Sequence, residues 1–187
     1  MHELTAHVTA GSAEIADLIE LELGGQPVRA TRDFEEREAP YRALSPRRLR
    51  RAFFREALRA TAAVESLSSA RRQVTFTGVQ LDASALVAHI SSELVLHRWD
   101  ITGCDDSGRA ALSDPGLGDH AIRIVARMQP DVLPRRGGVG ASVILRSPGA
   151  LDLAVTSGDV APIANDQKTE GCSVVTCDPA VRTLLVW

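Results

Sequence analysis

Leu4, Val8, Gly11, Ile15 and Leu18 form one stripe at helical spacing, the pattern of an amphipathic helix. The spacing predicts a helix over 1–23, stopped by Gly24-Gly25. A polar stretch holding Pro27 and Pro40 reads as a loop. Ser45-Pro46 reads as a helix start, Ser as N-cap and Pro in the first turn. Leu49, Phe53, Ala57, Ala60, Val64 and Leu67 then mark an inner face. Val74 and Phe76 alternate as a short strand, leading through Gly78 to Asp82, the expected cap of a third helix over 83–102. Residues 105–108 read as a loop, and a further helix is expected over about 116–129.

Beyond this point the period changes. Residues 134–140 hold one Pro, two Arg and three Gly and read as a linker. Short strands are expected at 142–145, 151–156 and about 172–176, followed by a helix capped at Asp178-Pro179. The expected fold class is α+β: a helical bundle over 1–133 and a small α/β domain over 141–187.

Composition narrows the classes. The 187 residues are 44% hydrophobic and 24% charged, near the globular average. A net charge of −3 argues against general nucleic-acid binding. No apolar run approaches the ~20 residues of a membrane span, and a cytoplasmic location is expected. The three cysteines, Cys104, Cys172 and Cys177, lack CxxC spacing and are expected as reduced thiols. Arg47, Arg48, Arg50, Arg51, Arg55 and Arg59 crowd one helix. A solvated face paired with Glu35, Glu36, Glu38 and Glu56 is one reading, a nucleic-acid helix another, and a hold on an anionic substrate or thiol a third.

The chemistry sits at Glu93 and His97. Four apart on a helix, they share one face, and the stripe Leu86, Ile90, Glu93, His97, Ile101 puts both toward the core. Buried polar groups of this kind need compensation. A Glu–His hydrogen bond is one form, and a divalent metal is another, since both side chains are zinc ligands. His7 abuts the stripe of the first helix, and a His from one helix with Glu and His from another is a bundle-core metal arrangement. His2, Glu3 and His89 are competing donors.

The segment Glu-Leu-Val-Leu-His-Arg-Trp-Asp-Ile-Thr-Gly (93–103) resembles the ligand helix of mycothiol-dependent maleylpyruvate isomerase-like proteins, within the wider DinB-like group. His-Glu-Leu-Thr-Ala-His-Val (2–8) is similar to that family's first ligand motif. The resemblance implies a DinB-like metal-binding bundle followed by a sterol-carrier-like α/β domain that ends in an apolar helix, as in 178–187. By the resemblance, the sequence is expected to open inside the first ligand helix, with the family's usual first helix and Pro-Gly-Trp turn missing or truncated. It also implies His7, Glu93 and His97 as ligands of zinc or another divalent metal, with mycothiol as thiol cosubstrate. The implied activity is isomerase or S-transferase chemistry on a small electrophilic substrate, with Arg182 or Arg146 as candidates for a C-terminal arginine. The alternative is a non-catalytic ligand- or partner-binding protein on the same scaffold. The oligomeric state is not legible.

Overall fold

The structure is a computed structural model describing residues 1–103, 105–128, 142–149, 151–155, 160–163 and 171–186. Backbone proximity gathers the chain into two compact units, Met1–Val87 and Ala88–Trp187. The expected linker at 134–140 and Cys104 lie outside the described residues.

The first unit is built on α1 (His2–Leu23), α2 (Phe34–Arg42) and α3 (Pro46–Ala70), with α1 packed on both of the others. Its core holds Leu18, Ile19, Leu49, Leu67, Val74 and Leu81. Burying such side chains contributes about 1.5–3 kcal/mol each. Strands β1 (Val74–Phe76) and β2 (Val79–Leu81) pair antiparallel. Their two-residue turn puts Thr77 at φ 49 and Gly78 at φ 79, the primed geometry that matches strand twist. A β-branched residue there is strained, and the Thr77 amide is held by Thr31 Oγ1 at 2.7 Å.

Helix α2 stands where the sequence reading has a loop. Asp33 caps it, accepting from the Glu36 amide at 2.7 Å, and Glu35 and Glu36 sit in its first turn, where the helix dipole favours negative charge. Pro40 lies inside the helix and removes one intrahelical donor there. The Asp33-x-x-Glu36 capping box was the available signal, hidden by polarity and two prolines.

A buried ion network fastens α1 to the segment after it. Glu14, fully buried, accepts from Arg29, from the Arg32 amide at 2.8 Å and from Arg32 Nε at 2.7 Å. Arg59 joins Asp17 at 2.7 Å and also pairs with Glu20 and Glu56. Arg55 pairs with Glu56. Of the partners expected for the arginine-rich helix, Glu56 serves, whereas Glu35 and Glu38 pair with Arg42.

Helix α4 (Ala83–Thr102) begins in the first unit and continues into the second. Asp82 caps it through Ser84 and the Ala85 amide. The second unit adds α5 (Asp106–Leu112), α6 (Pro115–Met128), β3 (Ser142–Arg146), β4 (Asp152–Val155), β5 (Val160–Ile163), β6 (Cys172–Thr176) and α7 (Pro179–Val186). The sheet order is β5-β4-β3-β6, with β6 parallel to β3 and the other pairs antiparallel. Helix α6 packs on α7 and β5, and α5 packs on α7. Ile122 and Leu153 anchor that core.

Two details differ from the sequence reading here. Residues 105–108, expected as a loop, start α5: Asp105 is its N-cap, accepting from the Gly108 amide at 2.6 Å. A Cβ at Gly108 would meet Arg98 Nη1 at 2.8 Å, so a glycine there lets the arginine reach Asp105. Strand β5 carries Pro162, and proline is tolerated at such a sheet edge.

Candidate metal centre

Helix α1 carries His7. Its Nδ1 lies 2.7 Å from Glu38 Oε1 on α2. A carboxylate only accepts, so Nδ1 carries the proton and Nε2 keeps the lone pair a metal needs. Glu38 is nearly buried, with a side-chain exposure of 5%, and its other oxygen accepts from Arg42 Nη2 at 2.6 Å. Phe34 stacks on the imidazole at 5.6 Å between centroids, and the Arg37 guanidinium lies 4.4 Å over the Phe34 ring.

Helix α4 carries Glu93 and His97 one turn apart. His97 Nδ1 meets Asp100 Oδ2 at 3.0 Å, and its Nε2 is 3.5 Å from Glu93 Oε2. Residues i and i+3 are neighbours on a helix, and Asp100 reaches the His97 ring. The 3.5 Å separation exceeds a good hydrogen bond. It is close to the ~3.3 Å that bond lengths near 2 Å and tetrahedral angles give two ligands of one zinc ion.

The buried face of α4 differs from the expected stripe. Leu86, His89 and Ser92 are buried, Glu93 and His97 are half-buried and Ile101 is 52% exposed. The helix is apolar around most of its circumference, so alternation alone did not fix which face turns inward.

One ligand atom from each of His7, Glu93 and His97 lies within 4.8 Å of the other two. These are hard-to-intermediate nitrogen and oxygen donors of the type zinc takes, and both imidazoles have Nδ1 held by a carboxylate. The donor set therefore fits a divalent ion. The competing donors have other contacts. His2 Nε2 is 3.0 Å from the Arg42 carbonyl oxygen, Glu3 pairs with Arg42 at 3.0 Å, and His89 packs edge-on to His120 at 5.7 Å.

Both candidate arginines of the C-terminal part have partners within it. Arg146 pairs with buried Asp152 at 2.8 Å, and Arg182, almost fully buried, donates to the Leu151 carbonyl. Cys172 and Cys177 are free thiols, and burial pushes the Cys177 thiol up, away from the reactive thiolate. No helix among the described residues is long and apolar enough to cross a membrane.

Comparison with known proteins bears on the fold and the family. No curated protein matches the chain. Two solved structures match its fold over 99% of this chain and 72% of theirs, each with a TM-score of 0.63. They are mycothiol-dependent maleylpyruvate isomerase, 18% identical, and a histidine-to-alanine mutant of that enzyme, 17% identical. The fold is thus the DinB-like bundle with a C-terminal α/β domain expected from the resemblance. The family described as mycothiol maleylpyruvate isomerase N-terminal domain matches residues 1–102, more than half of the chain, and the protein belongs to that family.

Proposed function

We propose that this protein is a metal- and thiol-dependent enzyme, an isomerase or S-transferase acting on a small electrophilic substrate, with mycothiol as cosubstrate and a cytoplasmic location. His7, Glu93 and His97 are its metal ligands, and zinc is the first ion to test. The observation that carries the reading is the convergence of these three side chains, each imidazole with Nδ1 anchored on a carboxylate.

A divalent ion with three protein ligands keeps an open position, where a thiol is held as its reactive thiolate. The chain's own residues prepare that position. Glu38 and Asp100 fix which imidazole nitrogen faces the ion, as outer-shell carboxylates do. Glu93 supplies the anionic oxygen that offsets part of the metal charge.

The test is conversion of maleylpyruvate, the substrate named for the structural relatives, with and without mycothiol. Conversion that needs the thiol and falls at least about 100-fold in His97→Ala supports the reading, by analogy with the loss of a group acting at the reacting centre. Absent conversion, or conversion indifferent to the thiol and to His97, contradicts it.

A further inference from the structure

We infer that Glu38 is a positioning residue for the metal centre, and that α2 exists in this fold largely to present it; the inference rests on the metal reading above. Phe34, Glu38 and Arg42 stand four apart on α2 and so share one face. Two of them touch His7, and the third acts through Glu38. Phe34 stacks against the ring, Glu38 accepts from Nδ1 at 2.7 Å, and Arg42 pins the far oxygen of Glu38 at 2.6 Å.

The arrangement orders His7 from two sides. The stack limits ring tilt, and the hydrogen bond selects the tautomer with its lone pair on Nε2. A rotating carboxylate would hold the ring loosely, and Arg42 prevents that rotation. Arg42 is in turn held by Glu3 at 3.0 Å and Glu35 at 2.6 Å. A buried carboxylate with both oxygens bonded holds its partner more tightly than an exposed one. The corresponding group on His97, Asp100, is 61% exposed, so it contributes less to ordering.

The test is zinc affinity of the full chain, measured with Zn²⁺ alone against a chromophoric chelator, for wild type, Glu38→Ala, Glu38→Gln, Asp100→Asn and His7→Ala. Thermal unfolding of each metal-free protein is recorded beside it. Removing an outer-shell partner costs 10–100-fold in metal affinity, so Glu38→Ala is expected to weaken zinc binding by that factor. Glu38→Gln keeps an acceptor oxygen for Nδ1–H and is expected to recover part of the loss; it also serves if the alanine variant does not fold. Asp100→Asn is expected to change affinity less than Glu38→Ala. Zinc bound equally well by wild type and both Glu38 variants, while His7→Ala loses it, overturns the role of Glu38 and leaves the metal site standing. Affinity that falls only in proportion to metal-free stability likewise overturns it. Failure of wild type itself to bind zinc removes the metal reading and this inference with it.

Discussion

At the scale of single residues, carboxylates do two different jobs in this protein. Glu38 and Asp100 orient imidazoles, whereas Glu14 holds a fold together. Glu14 is fully buried, and burial raises its pKa. Hydrogen bonds from Arg29 and Arg32 outweigh that and leave it below its ordinary value. Removing one partner of a buried ion pair is costly because the other charges stay behind. Arg29 and Arg32 are each about one-third exposed, at 34% and 31%, so water relieves part of the penalty. Glu14→Gln is therefore expected to destabilise the protein by about 3 kcal/mol, read from urea unfolding at neutral pH. A loss under about 1 kcal/mol would show the network to be peripheral.

Residues were also where the sequence spoke most clearly about chemistry. The proposed ligands His7, Glu93 and His97 rest on the Glu–His spacing of α4, a further histidine on α1 and the family resemblance. The carboxylate partner of His7 was not legible. Glu38 lies 31 residues from His7, and nothing local ties the two. Asp100 lies three residues from His97, and its turn toward the imidazole is set by side-chain geometry.

At the scale of elements, α2 was the largest miss and has the largest consequence. The sequence reading located α1, α4, α6 and the start of α3 within a residue or so, because each has caps or an apolar stripe. Helix α2 has almost no apolar stripe, and its order comes from the Asp33 cap and from contact with α1. The cap is accordingly a good handle on it. Asp33→Ala is expected to cost about 1 kcal/mol of stability. It should also weaken zinc binding, because Glu38 and Phe34 ride on the helix that frays. Circular dichroism with chelator competition checks both; unfolding with unchanged zinc affinity would separate α2 from the site. Helix α5 was missed for a similar reason, its cap Asp105 being read as part of a loop. Strand β5 was missed because Pro162 breaks the strand pattern.

At the scale of the whole molecule, the depressed carboxylates set the acid limit. Glu14, Glu20, Asp82 and Asp105 all lie below their ordinary values. Burial and the arginine bonds act in opposition at Glu14; hydrogen bonding leads at the other three. A folded-state pKa below the unfolded one means that the stabilisation is complete above the unfolded value. It is then lost as the pH falls through the folded one. The ordinary value for Glu14 is 4.5, so stability is expected to hold near neutral pH and fall steeply below about pH 4.5. Thermal scans from pH 7 to pH 3 check this. Glu14→Gln should lose less on acidification than wild type, since its share is already gone; an equal loss would place the acid sensitivity elsewhere.

The broad architecture was legible because a period change from helices to short strands is written in the sequence, and because two His-bearing motifs carry the family. Side-chain pairing across distant segments is what sequence spacing does not encode. The most direct test of the account is metal content per chain, measured on protein purified without a histidine tag, for wild type, His7→Ala, Glu93→Gln and His97→Ala. The account predicts one divalent ion per wild-type chain and its loss or sharp weakening in all three variants. A folded wild-type protein that takes up no divalent ion, or variants that hold one as firmly as wild type, would contradict it.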